Sequence, residues 1–283
     1  MFAFMKGVMP EVIACLGPEG SFSHLVATQF APAGEITTLG SVEEVFDWLA
    51  NKPDALGIVP IENSSGGIIM ATVDRLMDPN CHLKIHEELT LDVKLALLGK
   101  LGRPVDVIYS HYMPFYHCDE WLKAQHPNAR RVPLPSTSQA AARAAQEPNS
   151  AAIGSRGNAR LHGLDLLEFP INDGLVNVTQ FFLIGHQEKS PSPANNRTAL
   201  AVELPDKPGI LCAFLSPFSE ARVSLKRIES RPIRGKPNTY RFYIEIEGSP
   251  ALPQVEAALE KARAIASNIR SVGSYPTGRR FES

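Results

Sequence analysis

Residues 56–78, LGIVPIENSSGGIIMATVDRLMD, constrain the fold more than any other stretch. The apolar run 56–61 is broken only by Pro60 and gives way to a polar turn of Glu62, Asn63, Ser64, Ser65, Gly66 and Gly67. Beyond it Ile69, Val73, Leu76 and Met77 recur at helical spacing, so the stretch reads strand, turn, helix. Such a turn gathers amide, hydroxyl and backbone N–H groups at the carboxyl end of a strand, where open α/β sheets bind ligands. Unpaired N–H groups at a helix start also favour an anion. A helix cap in a tight turn accounts for the same residues without a ligand.

The pattern recurs along the chain. A strand over 12–16 leads into GPEGSFSHLVATQF, where Gly17 and Gly20 allow a tight turn and Ser21 or Ser23 caps a helix over 25–30. Ser41 caps the amphipathic helix VEEVFDWLA, whose Val42, Val45, Phe46 and Leu49 share one face. Strands follow at 88–98 and 105–109, the latter entering SHYMPFYHCDEWLKAQ, helical in its second half. STSQAAARAA (136–145) is a capped helix, 151–153 a short strand, SRGNARLHGL a helix stopped by Gly163, and 177–184 a last strand. Strands alternating with helices predict an α/β fold with mainly parallel pairing. Several donor-rich turns must converge, which favours two lobes around a cleft over residues 10–186. HQEKSPSPANN lacks periodicity and carries two Ser-Pro steps, so 187–196 reads as a linker. Residues 197–276 then run strand, helix, strand, a hairpin near 235–238, strand, helix, strand. This βαββαβ order is ferredoxin-like.

Composition removes several classes. A formal net charge of −2 without a basic block gives no electrostatic case for nucleic acid. No apolar run approaches the ~20 residues of a membrane span, and the start, MFAFMKGVMPE, is a poor signal peptide. Cys15, Cys81, Cys118 and Cys212 are scattered without a CxxC pair, which fits free thiols in a reducing cytoplasm. His82 and His86, or His111 and His117 beside Cys118, lack the tight pairing of zinc ligands, so no metal is expected. Neither a GxSxG elbow nor a nucleotide-binding fingerprint is present.

The motifs GPEGSFS (17–23), PIENSSGG (60–67), Ser110-His111, Cys118, STSQAA (136–141) and Asp173…Asn177-x-Thr179, in this order, resemble prephenate dehydratase. DKPGIL (206–211) and IESRP (228–232) behind the linker resemble its ACT regulatory domain. The likeness covers nearly the whole chain. It implies a two-lobed catalytic domain like the periplasmic binding proteins, and loss of water and carbon dioxide from prephenate to give phenylpyruvate for phenylalanine synthesis. No cofactor or metal is implied, because aromatisation drives the reaction. Thr179 matches the family's threonine, the donor to the departing oxygen. Ser21, Glu62, Asn63, Ser64, His111, His117, Thr137, Asn177, Gln180 and Phe181 are the expected substrate-binding residues. Gly209, Ile210, Leu211, Glu229, Ser230, Arg231 and Pro232 match the effector site, which implies phenylalanine bound between the subunits of a homodimer or homotetramer.

The chain departs from the family at identifiable positions. Thr179-Gln180-Phe181 stands where Thr-Arg-Phe is usual, so a bidentate carboxylate grip is missing there. Arg156 and Arg160 are candidates to supply a cation instead. Tyr112 and Met113 replace Pro-Gln, His117 replaces the glutamine before Cys118, and Arg222-Val223-Ser224 replaces the Gly-x-Asn of the effector domain. Loss of the arginine leaves two other functions open: a prephenate decarboxylase that does not aromatise, and a non-catalytic sensor of a small carboxylate.

Overall fold

The computed structural model describes residues 12–172, 174, 176–233 and 239–283. The expected hairpin near 235–238 and Asp173 of the quoted motif lie outside them. The first lobe comprises β1 (Val12–Leu16), α1 (Phe22–Phe30), β2 (Glu35–Leu39), α2 (Val42–Ala50), β3 (Leu56–Asn63), β4 (Gly67–Ile68), α3 (Met70–Met77) and β5 (Lys84–Asp92). The chain then crosses into a second lobe of β6 (Ala96–Gly99), β7 (Val107–Ser110), α4 (Tyr112–His117), α5 (Asp119–Gln125), β8 (Arg130–Pro133), α6 (Thr137–Gln146), β9 (Ser150–Gly154), α7 (Gly157–His162) and β10 (Asp165–Glu168). Strand β11 (Val178–Gly185) returns to the first. The third unit holds β12 (Arg197–Glu203), α8 (Ile210–Glu220), β13 (Leu225–Pro232), β14 (Tyr240–Glu247), α9 (Pro253–Arg263) and β15 (Asn268–Tyr275), and β16 (Arg279–Glu282) follows it.

Local chemistry accounts for these elements. In α2 the Ser41 hydroxyl accepts from the Glu44 N–H, Glu43 and Glu44 sit at the positive end of the helix dipole, and Val42, Val45, Phe46 and Leu49 are buried. Pro253 opens α9, where its missing N–H costs nothing. Gly163, at φ 63, closes α7 in the left-handed conformation glycine tolerates.

The first sheet has the order β16-β5-β11-β3-β1-β2, with β4 on β3; the second runs β10-β6-β9-β7-β8; the third runs β13-β14-β12-β15. Parallel pairing holds for β1 with β2 and β3, and for β7 with β8 and β9. Elsewhere the expectation fails: β11 is antiparallel to both β3 and β5, and β6 to β9. Residues 88–98, read as one strand, are parts of two strands in different sheets. The chain passes between lobes at 93–95, where the Leu95 N–H bonds Asn172 Oδ1 and the Val93 carbonyl accepts from Asn172 Nδ2. Continuous apolar character concealed that break. Among the described residues, no helix is long and apolar enough to cross a membrane.

The sheet of the third unit is covered on one face by its own helices. There Phe214, Phe218, Val255 and Leu259 pack on Leu200, Val202, Ile244 and Ile246. Its other face lies on the first lobe: Ala199, Ala201, Tyr243, Val272 and Tyr275 share a buried cluster with Val45, Leu76, Ile85, Phe182 and Ile184. The approach is close, since a Cβ on Gly273 would fall 2.5 Å from the Ile85 carbonyl oxygen. Strand β16 then pairs parallel to β5 and ties the chain back onto the first sheet.

Candidate active site

Strand β3 leaves the sheet at Asn63, and its amide can be oriented from the backbone alone. Asn63 Oδ1 accepts from the N–H groups of Ser65 at 3.0 Å and Gly66 at 2.9 Å, an Asx turn that fixes which end is oxygen. Nδ2 therefore faces β11, where it donates to Thr179 Oγ1 at 2.9 Å and Asn177 Oδ1 at 3.1 Å, with the Val178 carbonyl at 3.4 Å. Asn63 and Thr179 are direct cross-strand partners.

The orientation propagates. Because Asn177 Oδ1 accepts, its Nδ2 must donate, and it meets His117 Nδ1 at 2.9 Å. His117 is thereby held neutral, with its proton on Nε2. Burial also lowers its pKa. His117 is 6% exposed and Asn177 8%; Nε2 has no hydrogen-bond partner among the described residues. His117 lines a recess of about 500 Å³ with Tyr116, Asp119, Glu120, Trp121, Ile171 and Gly174. At the other end of the relay, Thr179 Oγ1 receives a proton donor from Asn63, so its own hydroxyl proton is free to donate outward.

Other expected residues take structural posts around this cluster. The Ser64 hydroxyl donates to the Val176 carbonyl at 3.3 Å and accepts from the Val178 N–H at 3.0 Å, pinning the turn to the start of β11. Ser21 caps α1, accepting from the His24 N–H and donating to the Leu16 carbonyl. Thr137 is buried in the first turn of α6, against Gly154. His111 caps α4, with Nδ1 3.4 Å from the Met113 N–H, and its ring lies against Tyr112. These caps lie at the carboxyl-end turns of β1, β7 and β8, and the lobes touch there: Ser138 Oγ donates to the Glu19 carbonyl and Asn158 Nδ2 to that of Gly20.

Three expected substrate contacts lie elsewhere. Successive side chains of a strand alternate faces, so Gln180 and Glu62 point to the side opposite Thr179 and Asn63. Gln180 Nε2 donates to Glu88 Oε1 at 3.3 Å, and Glu62 accepts from Arg227 Nε at 2.6 Å. Phe181, 1% exposed, belongs to the core beneath the site with Leu89 and Leu91. Arg156, a candidate replacement cation, donates to the Ser283 carbonyl and lies over Phe169. In the third unit, Gly209 begins α8 at φ 75, with open space where a Cβ would stand. Ile210 and Leu211 are half-buried on its core, Glu229 is half-buried, and Ser230 and Pro232 are exposed. Arg231 makes a bidentate pair, 2.6 Å on each arm, with Asp74 of α3.

The sequence reading missed Arg227, Glu88 and Glu245, which are buried between the sheets. A signal was present: Glu88 and Glu245 are charges at inward positions of apolar strands, a placement that requires partners.

Residues 13–189 match the sequence model of the family described as prephenate dehydratase, and 198–264 that of the ACT domain. A bifunctional chorismate mutase/prephenate dehydratase of Stutzerimonas stutzeri is 36% identical over 94% of this chain and 73% of its own length. The crystal structure of an Arthrobacter aurescens prephenate dehydratase in complex with L-Phe is 29% identical. It superposes with a TM-score of 0.85, covering 94% of this chain and 90% of that one. GqqA, described as a novel type of quorum-quenching acylase, superposes with the same TM-score at 23% identity over 94% and 98%, a likeness of fold alone.

Proposed function

The chain belongs to the prephenate dehydratase family, and on that premise we propose that it converts prephenate to phenylpyruvate, with Thr179 as the donor to the departing ring oxygen. The observation that carries this is the Asn63 Nδ2 bond to Thr179 Oγ1, which leaves the hydroxyl proton unspent. The ring carboxylate leaves as carbon dioxide, its bonding pair enters the ring, and the C–O bond at the opposite carbon breaks as the ring becomes aromatic. The oxygen departs as water, taking one proton that Thr179 delivers and solvent restores. Prephenate dianion and a proton thus give phenylpyruvate anion, water and carbon dioxide. A threonine hydroxyl is a weak acid, so its contribution is a preorganised dipole at the developing negative charge. The neutral relay from His117 through Asn177 and Asn63 supplies that preorganisation. Phenylpyruvate formation from prephenate, followed by ultraviolet absorbance, tests the assignment.

The non-aromatising alternative drew on the missing arginine at position 180. That ground is weak now, because Gln180 lies on the face of β11 away from Thr179. The C-terminal domain is the proposed phenylalanine sensor, with Gly209–Leu211 and Glu229–Ser230 as the ligand's surroundings. The L-Phe complex of the Arthrobacter protein supports it. Strand β13 is a sheet edge, and Ile228 and Tyr240 are 41% and 46% exposed; both favour a second subunit there. Calorimetry with phenylalanine is expected to give saturable heat, and heat from none of phenylalanine, tyrosine and tryptophan would leave the domain without an effector. A cytoplasmic homodimer or homotetramer completes the proposal.

A further inference from the structure

Glu62 and Gln180, the chain neighbours of Asn63 and Thr179, are bonded from the back of the sheet by a residue of another domain. The cross-strand pair next to Asn63–Thr179 is Glu62–Gln180, and immediately beyond it the ladder is irregular: Phe181 pairs with Pro60, leaving Ile61 as an extra residue. A bulge of this kind interrupts pairing and bends the strand, and beyond it side-chain ties join β3 and β11 in addition to the backbone bond from the Ser64 N–H to the Val178 carbonyl at 2.9 Å. Asn63 itself supplies one, on the front face. The Ser64 hydroxyl adds a second at the turn, and on the rear face a single guanidinium supplies a third. Arg227 of β13 donates from Nε to Glu62 Oε2 at 2.6 Å and from Nη2 to Gln180 Oε1.

The same guanidinium is itself firmly seated. Nη1 bonds Glu88 Oε2 of β5 at 2.9 Å and both carboxylate oxygens of Glu245 of β14 at 2.8 and 2.7 Å. Glu245 also accepts from Arg197 Nη1 at 3.2 Å and from the Tyr243 hydroxyl at 2.7 Å. Arg227 is 7% exposed, Glu88 2% and Glu245 0%. A buried charge is tolerated only when paired and hydrogen-bonded throughout, and the fork geometry of arginine lets one residue meet four partners on separate strands. Arg227 immediately precedes 228–232, and Arg231, one turn of the pleat beyond Glu229, is tied to Asp74. Strand β13 therefore reaches the first lobe at both ends of the segment that faces the proposed effector.

We propose that Arg227 is a positioning residue for the dehydration, the arm through which the C-terminal domain holds Glu62 and Gln180 and so sets the geometry of Asn63 and Thr179. The proposal rests on the dehydratase reading. It assigns the effector's action to kcat: a ligand that shifts β13 moves the guanidinium, and the donor at Thr179 loses its aim while the rest of the cleft is untouched.

The test uses the full chain carrying Arg227→Lys or Arg227→Gln, with kcat and KM for prephenate and hydrogen–deuterium exchange over 59–64 and 177–182. Lysine keeps the buried charge but cannot span the two strands. It is expected to fold, to lose about tenfold or more in kcat with KM changed by about twofold or less, and to exchange faster in both segments. Phenylalanine is expected to have little further effect on its kcat. Should Arg227→Gln fail to fold, the lysine variant still decides. A double variant, Gln180→Arg with Arg227→Gln, returns a guanidinium to β11 itself and is expected to regain turnover that no longer responds to phenylalanine. A folded lysine variant with wild-type kcat and wild-type exchange, or one altered in KM alone, overturns the proposal. If the wild type forms no phenylpyruvate, the dehydratase reading and the catalytic part of the proposal fall together; the exchange comparison then decides separately whether Arg227 holds the strands.

Discussion

Replacing Asn63 by aspartate changes one heavy atom and reverses the direction of a hydrogen bond. The carboxylate keeps an oxygen for the Ser65 and Gly66 N–H groups, but its second oxygen replaces Nδ2 and confronts three acceptors: Thr179 Oγ1, Asn177 Oδ1 and the Val178 carbonyl. The Thr179 hydroxyl answers by donating to the new carboxylate, so its proton points away from the substrate. Removing one preorganised donor of this kind costs about 10²–10³ in kcat, or about 3–4 kcal/mol of transition-state stabilisation. Asn177 relieves its own clash by rotating its amide, which then presents Oδ1 to His117 Nδ1 and demands the other tautomer. The stability cost of one mis-paired polar group is about 1–3 kcal/mol. An added negative charge beside a dianionic substrate also raises KM. The assay is phenylpyruvate formation from prephenate over a range of concentrations, paired with thermal unfolding to show that the variant is folded. A folded Asn63→Asp enzyme with kcat within about threefold of wild type would refute the orientation argument.

His117 must stay neutral to accept from Asn177, and its pKa is lowered by burial. Activity is therefore expected to fall as pH drops through a value below the ordinary histidine range of about 6.5. His117→Gln, whose amide oxygen also accepts, is expected to remain active and to lack that acid limb; an unchanged pH–rate profile would remove His117 from the relay. Gly273→Ala forces a Cβ against the backbone of Ile85, 2.5 Å from its oxygen and 3.0 Å from its nitrogen. The docked sheets must part, at a cost of about 1–3 kcal/mol, and a Tm lower by a few degrees is expected; an unchanged Tm would mean the C-terminal sheet does not rest there.

Much of this is legible in the sequence alone, and the pattern of what is not is physical. Periodicity locates α2 and α3, and the Ser41 cap marks the start of α2, because a buried stripe and an N-cap are local properties. The ferredoxin-like order of the C-terminal unit was visible for the same reason. The break between β5 and β6 was hidden because both flanks are apolar and the crossing carries no glycine or proline between Asp92 and Ala96. Strands β2, β8, β10 and β16 are short and partly exposed, so they lack the apolar runs that announce a strand. At the site, Asn63, Asn177 and Thr179 stand out from their motifs and His117 as the departure beside Cys118, and the four meet in one hydrogen-bonded chain. Glu62 and Gln180 were named with them, although strand alternation alone puts adjacent residues on opposite faces. Arg227 could not be placed from its own segment, since its partners lie 165, 139 and 47 residues away for Glu62, Glu88 and Gln180, as well as on neighbouring β14.

The most direct test of the account compares wild type with Thr179→Ala in turnover of prephenate. Wild type is expected to release phenylpyruvate. The alanine variant is expected to fold, to bind prephenate with little change in KM, and to lose about 10²–10³ or more in kcat. Wild type that forms no phenylpyruvate, or a Thr179→Ala enzyme that retains near-native kcat, would contradict it.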